Sequence, residues 1–130
     1  MSLNDPLANA MSHILNCEKK SKTSCTVKDS SGLIKSVLTI LKKNKYIENF
    51  KSTSTSRGEV LDVSLNGAVN KCGVIKPRFA VKKGDYEKFE KRYLPARDFG
   101  IIIVSTPKGL ITHTEAIEKN SGGRLIAYCY

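Results

Sequence analysis

The sequence lacks the motifs that mark the common enzyme classes and the segments that cross membranes. It has no G-x-S-x-G nucleophile elbow, no G-x-x-x-x-G-K-[ST] phosphate loop and no H-E-x-x-H zinc motif. Apolar runs such as Ile101–Val104 are far too short to span a bilayer, and no strongly basic amphipathic helix is evident. The residues therefore predict neither an established catalytic motif nor a membrane partner.

Paired metal ligands are also missing. The four cysteines form no C-x-x-C pair, and the two histidines stand far apart in the sequence. Structural zinc sites normally take their ligands from close pairs, and the N-terminus has no secretory signature. We therefore expect no metal or other cofactor, and buried or half-buried free thiols in a reducing cytosol, at Cys17, Cys25, Cys72 and Cys129.

Acidic residues are scarce relative to basic ones. The chain of 130 residues has 22 Lys and Arg against 12 Asp and Glu, which gives a net charge of +10, and 40% of its residues are hydrophobic. This composition is sufficient for a modest core, and both halves are basic. A dispersed positive field attracts polyanions, so nucleic acid is the leading class of partner.

The pattern of the first half predicts a small sheet backed by two helices. Asp5 and Pro6 are suited to open a helix, and Ser30 or Ser31 to cap a second one. Asn66-Gly67 is a strong turn signal and marks the best boundary, giving subdomains 1–66 and 67–130. The predicted order in the first is α-β-α-β-β, with strands at 23–27, 46–51 and 59–65.

The second half is predicted to be mostly β with one or two short helices, so that the fold class is α+β. Thr112 and Glu115 have capping-box spacing, and Asn120 with Gly122-Gly123 would end that helix. A polar helix over 85–93 carries Glu90 on a face expected to be solvated and ion-paired. The predicted strands are 74–81, kept to an edge or a bulge by Pro77, then 101–105 and 125–130. In the last of these, Leu125, Ala127 and Cys129 are expected to alternate with Ile126, Tyr128 and Tyr130.

The segment Phe99–Gly123 is the strongest functional candidate. It places a polar turn, Ser105-Thr106-Pro107-Lys108-Gly109, between a strand and a capped helix. An ordinary tight turn explains the Pro and Gly equally well. Hydroxyls and a lysine on a basic protein, however, also suit RNA 2′-hydroxyls and phosphates. Here the candidate RNA-binding residues are Ser105, Thr106, Lys108, Gly109, Thr112, Ser121, Gly122, Gly123 and Arg124.

A second group of polar residues lies in the first half. Some share a face of the first helix and others gather at the start of the second. A solvated face is the simpler interpretation, and a second RNA contact follows only if the chain binds a large RNA. The residues concerned are Asn4, Ser12, Asn16, Lys28, Ser31 and Lys35.

The segment GIIIVSTPKGLITHTEAIEKNSGG resembles the signature of the small-subunit ribosomal protein eight family. The opening Asn4–Ala8 and the strand Lys76–Val81 resemble other parts of that family, and Lys91–Arg97 resembles its archaeal and eukaryotic branch. The resemblance implies a non-enzymatic, cytoplasmic protein that binds the central domain of 16S-type ribosomal RNA and helps to assemble the platform. It also implies neighbouring ribosomal proteins as partners and, in some members, the protein's own messenger RNA.

Two positions depart from the bacterial pattern of that family, and two other functions compete with it. Pro107 replaces a serine and Arg124 a glutamate, which puts those individual contacts in doubt. One alternative is a small enzyme that holds a phosphorylated substrate on the Ser-Thr turn, although His113 has no identifiable nucleophile nearby. The other is an interaction module whose strand over 125–130 pairs with a neighbouring protein.

Overall fold

A computed structural model describes residues 6–27, 32–56, 58–75, 80–82, 84–96 and 99–130. The chain divides into two compact units, Met1–Lys71 and Cys72–Tyr130. Each unit has its own antiparallel sheet and its own helices, which confirms the α+β class and the predicted order of elements in the first unit. No helix in the described part of the chain is long and apolar enough to cross a membrane.

The first unit packs two helices on a three-stranded sheet. The sheet has the order β1-β3-β2, and β3 pairs antiparallel with both neighbours. Alternation in β3 buries Leu61, Val63 and Leu65, since successive side chains of a strand point to opposite faces. The elements are α1 Pro6–Lys19, β1 Ser24–Val27, α2 Gly32–Lys43, β2 Ile47–Thr55 and β3 Gly58–Leu65.

The helix predicted to start at Pro6 does so, whereas Asp5, Ser30 and Ser31 lie outside the described residues. In α1 one apolar face is buried, and Ser12, His13 and Asn16 are exposed. The hydrophobic spacing of α2 buries five residues against the unit's interior, at Ile34, Val37, Leu38, Ile40 and Leu41.

The second unit is organised around one strand that is paired on both sides. Strand β8 lies between β6 on one side and β4 and β5 on the other, and β7 pairs with the far edge of β6. Its elements are β4 Cys72–Val74, β5 Ala80–Val81, α3 Tyr86–Tyr93, β6 Ile101–Thr106, β7 Gly109–Thr112, α4 His113–Glu118 and β8 Gly123–Cys129. The alternative in which the 125–130 strand pairs with a neighbouring protein is therefore disfavoured, because β6 occupies one edge of β8 and β4 and β5 pair with the other.

Three other expectations for the second unit need correction. Of the strand predicted over 74–81, Val74 ends β4 and Ala80–Val81 form β5, and these two strands pair with β8 in different registers. Residues 76–79, including the predicted edge position Pro77, lie outside the described residues. Residues 109–112 form β7 rather than the approach to a helix. Strict alternation in β8 fails because the register shifts opposite Ile103 and Val104, so that Leu125, Ile126 and Ala127 are all buried.

The core of the second unit joins the sheet to α3 and α4. It includes Tyr86 and Phe89 from α3, Ile102 and Val104 from β6, and Ala116 from α4. Glu90 of α3 is also buried, at 7% exposure, so the expectation of a solvated face is wrong for this residue. The expectation holds for Glu87, whose carboxylate lies 3.8 Å from the exposed Lys91 ammonium.

Candidate nucleic-acid interface

The β6–β7 hairpin presents the polar turn at its tip. Thr106 and Gly109 are the last paired residues, and Pro107 and Lys108 form the exposed loop between them. Gly109 adopts a φ of +121°, a conformation that L residues rarely take. The ring of Pro107 fixes a negative φ, and the positive φ of the turn falls on Gly109, two residues later. The local geometry thus accounts for the Pro and the Gly of the turn.

Thr106 supports this turn through its hydroxyl. The hydroxyl donates a 2.8 Å hydrogen bond to the Gly109 carbonyl and accepts a 3.3 Å bond from the Lys108 amide. A hydroxyl has one donor and two acceptor positions, so a single acceptor position is left for an external group. The Ser105 hydroxyl, in contrast, has no hydrogen-bond partner among the described residues, and its side chain is half-buried.

The turn faces the end of α4 across a cleft. The cleft has a volume of about 620 Å³, and Lys108 and Lys119 contribute positive charge to it. No acidic residue lines it within the described part of the chain. Its lining residues are Thr106, Pro107, Lys108, Ile111, Lys119, Asn120 and Ser121. The fold therefore brings the predicted turn and the predicted Ser121 region together.

The wall formed by residues 119–121 is held by backbone bonds and by one tyrosine. Asn120 adopts a φ of +51°, which ends the helix. The Ser121 amide donates to the Ala116 carbonyl at 2.9 Å, and the buried Tyr86 hydroxyl donates to the Ser121 carbonyl at 2.8 Å. Sequence reasoning missed Lys119 and Asn120 as cleft residues, because only the position of α4 beside the hairpin places them there.

Arg124 and Gly123 occupy the start of β8, next to β6. Arg124 is exposed and is the register partner of Ser105, so their side chains share one face of the sheet. A Cβ built on Gly123 would overlap the Ser105 carbonyl oxygen and lie 2.7 Å from Cγ1 of Val104. Gly123 is therefore required by the packing of β8 on β6.

Thr112 has a structural role that explains its place in the sequence. It is 3% exposed, and its hydroxyl accepts a 3.3 Å hydrogen bond from the Glu115 amide, which confirms the predicted cap of α4. A second bond of 3.0 Å joins it to the Thr114 hydroxyl. Burial and these two bonds disfavour direct contact of Thr112 with a ligand.

The candidate residues of the first unit form a less complete surface. Ser12 and Asn16 are exposed and four residues apart on α1, so they share a face. The Lys35 ammonium lies 2.7 Å from a carboxylate oxygen of Glu59 in β3, and both side chains are partly exposed. The other three candidates, Asn4, Lys28 and Ser31, lie outside the described residues.

His113 is not among the residues that line the cleft. Its side chain is fully buried, its Nδ1 accepts a 3.1 Å hydrogen bond from the Ile102 amide, and its Nε2 lies 3.4 Å from Oε2 of Glu90. The cleft lining itself contains neither a histidine nor a carboxylate in the described part of the chain. Among the described residues, the cleft therefore offers no acid or base beside Thr106 of the Ser-Thr turn.

Comparison with known families agrees with this architecture. The family model for ribosomal protein S8 matches residues 5–130. This range covers both units, the hairpin turn and the Gly122-Gly123 region, so it includes all but one of the candidate RNA-binding residues, Asn4. The chain belongs to the ribosomal protein S8 family and is a ribosomal-RNA-binding component of the small ribosomal subunit.

Proposed function

We propose that this chain is a structural, non-enzymatic protein that binds an irregular helix in the central domain of 16S-type ribosomal RNA and helps to assemble the platform. The observation that carries the proposal is the cleft between the hairpin turn and the end of α4. It joins hydroxyls, a helix end and two lysines on one side of a chain with a net charge of +10. Such a surface suits a polyanion with hydroxyl groups.

The proposed contacts divide into two kinds. Lys108, Lys119 and Arg124 contact phosphates, which sets affinity and salt dependence. Ser105, Thr106 and the Asn120–Ser121 backbone fix the register against distorted nucleotides, because the major groove of a regular RNA helix is too narrow for side chains to read. Gly109 shapes the turn, whereas Thr112 and Gly123 act through the fold rather than through contact.

Ser12 and Asn16 are proposed as a second, weaker RNA contact on α1. Their exposure supports this role, and so does their position on one helix face. Lys35 is proposed as an indirect participant, because its charge is already paired with Glu59. Any other RNA with the same shape, including the chain's own messenger RNA, would compete for the cleft.

Footprinting tests the location of binding. The purified chain is added to naked small-subunit ribosomal RNA, and hydroxyl-radical cleavage is compared with and without it. We expect protection confined to a helical region of the central domain. Cleavage that is unchanged there, or protection spread evenly along the RNA, would contradict the proposal.

Salt titration tests the two lysines of the cleft. The double variant Lys108→Gln, Lys119→Gln should lower the slope of log affinity against log salt by about one unit for each lost phosphate contact. The matched control is Lys91→Gln, an exposed lysine paired with Glu87 on α3. A change of slope in the control half as large as that in the double variant, in proportion to one charge removed against two, would show that only the overall charge matters.

A further inference from the structure

Three metal-binding side chains meet in the first unit, although the sequence contains no C-x-x-C motif. His13 and Cys17 lie four residues apart on α1, which places them on one helix face, and Cys25 is in β1. One ring nitrogen of His13 and the two sulfur atoms all lie within 4.8 Å of one another. The packing of α1 against β1 creates this cluster from residues that are not adjacent in the sequence.

The donor set matches the chemistry of zinc. Thiolate sulfur binds Zn²⁺ at about 2.3 Å and imidazole nitrogen at about 2.0–2.1 Å, so in a tetrahedral site the ligand atoms lie about 3.5–3.8 Å apart. The three observed ligand atoms lie within 4.8 Å of one another, so binding an ion would require side-chain rotations that bring them closer together. Cys17 and Cys25 are 5% and 3% exposed, whereas His13 is exposed, so the fourth position would face solvent.

Charge balance also favours a divalent ion. Two cysteine side chains meet in the buried part of the cluster. A Zn²⁺ ion would break both S–H bonds, form two S–Zn bonds and release two protons to water. The resulting ion and thiolates carry no net charge, which reduces the cost of burial.

We propose that His13, Cys17 and Cys25 bind a thiophilic divalent cation of the zinc type, with an open fourth position for water or an external ligand. This site would link α1 to β1 within the first unit. It lies on the helix that carries Ser12 and Asn16, so the ion would also hold their helix face in position. The proposal does not depend on where the chain binds RNA.

Cobalt provides the test, because it reports thiolate ligation by absorption. The full chain is reduced, freed of metal and titrated with Co²⁺. We expect one equivalent of cobalt to produce a thiolate-to-cobalt charge-transfer band and visible bands of tetrahedral intensity, both removed by added Zn²⁺. We also expect Zn²⁺ to raise the unfolding temperature, since a ligand of the native state stabilises it. Absence of the charge-transfer band would overturn the proposal.

Two variants and one control locate the ion. His13→Ala changes an exposed side chain and should weaken cobalt binding by more than about 100-fold, because loss of a mere supporting partner already costs about 10–100-fold. Cys25→Val keeps an apolar side chain in the core. It should abolish the charge-transfer band that requires the thiolates of both Cys17 and Cys25. Asn9→Ala, an exposed change one turn away on α1, should bind as the unchanged chain does.

The variants also define the contrary outcomes. If Cys25→Val fails to fold, His13→Ala alone decides. Cobalt affinity unchanged in His13→Ala would place the ion elsewhere and overturn the proposal. If Cys17 and Cys25 form a disulfide that resists the reductant, and the chain takes up no cobalt, the metal-site proposal is overturned as well.

Discussion

The backbone amide of Ile102 donates a 3.1 Å hydrogen bond to Nδ1 of His113. The acceptor nitrogen must be unprotonated, so the ring carries its proton on Nε2, which lies 3.4 Å from Oε2 of the buried Glu90. One imidazole thus connects β6, the first residue of α4 and α3. It helps to fix the helix whose far end forms one wall of the cleft.

His113→Ala should therefore destabilise the second unit. The change leaves the Ile102 amide without its partner, which costs about 1–3 kcal/mol, and adds a cavity in a closely packed core. We expect a total loss of about 3 kcal/mol in the free energy of unfolding, measured with urea. Glu118→Ala, an exposed change on the same helix, should stay within about 0.5 kcal/mol. A loss below about 1 kcal/mol in His113→Ala would contradict this role.

Thr106→Val should weaken RNA binding by disordering the turn. The substitution keeps the branched shape and removes both bonds of the hydroxyl, to the Gly109 carbonyl and from the Lys108 amide. We expect affinity for the cognate RNA to fall by about 1–3 kcal/mol, with little change for generic duplex. Thr106→Ser, which keeps the hydroxyl, should bind nearly normally. Equal losses on both RNAs, measured by filter binding, would refute a role in specificity.

Gly123→Ala should disrupt the contact between β8 and β6. The new methyl group would overlap the Ser105 carbonyl oxygen and crowd Val104, so the strands must separate locally. Overpacking of this kind costs about 1–3 kcal/mol, which a thermal unfolding curve detects readily. Gly84→Ala is the matched control in the same unit, because no atom lies within 4 Å of its added Cβ. Similar small shifts for both variants would argue against the close approach.

Tyr86→Phe should loosen the cleft wall at Ser121. It removes the 2.8 Å hydrogen bond to the Ser121 carbonyl, at a cost of about 1 kcal/mol. Weaker RNA binding should accompany this loss, because the carbonyl belongs to the backbone that lines the cleft. A variant with full stability and full affinity would show that the bond has no influence on the wall.

Tyr86 also makes the free energy of unfolding depend on pH in the alkaline range. Burial raises the pKa of Tyr86 above its ordinary value of 10.0. The folded state therefore holds the phenol proton more tightly than the unfolded state does. The resulting stabilisation is complete below pH 10.0 and is lost as the pH rises above it. The unfolding free energy of Tyr86→Phe should fall less steeply over that range than that of the unchanged chain.

Local signals made part of this fold predictable. Pro6 predicted the start of α1, and the spacing of Thr112 and Glu115 predicted the cap of α4, because these residues act within one turn of helix. Strand β7 has no comparable signal: Gly109–Thr112 is short, and pairing with β6 makes it a strand. Tertiary context also decided the position of Glu90, whose lysine-rich neighbours suggested exposure.

The candidate site likewise combines residues that local sequence signals reveal with residues that only the tertiary fold brings together. The hydroxyls and lysine of the turn could be named from the sequence, because a turn is a local structure. Lys119 and Asn120 could not, since their place in the cleft depends on where the sheet puts α4. The meeting of Cys17 with Cys25 likewise needs the packing of a helix on a strand, which spacing along the chain does not encode.

The central position of β8 has a consequence for synthesis. Strands β4, β5 and β6 all pair with β8 but precede it in the chain, so a ribosome makes each of them before their common partner. The strands of the first unit, in contrast, are complete once residue 65 has been made. The first unit can therefore fold while translation continues, whereas the second must keep apolar strand edges unpaired until Gly123–Cys129 leaves the exit tunnel. In this chain, the half that carries the proposed RNA-binding cleft is the half whose sheet is completed last.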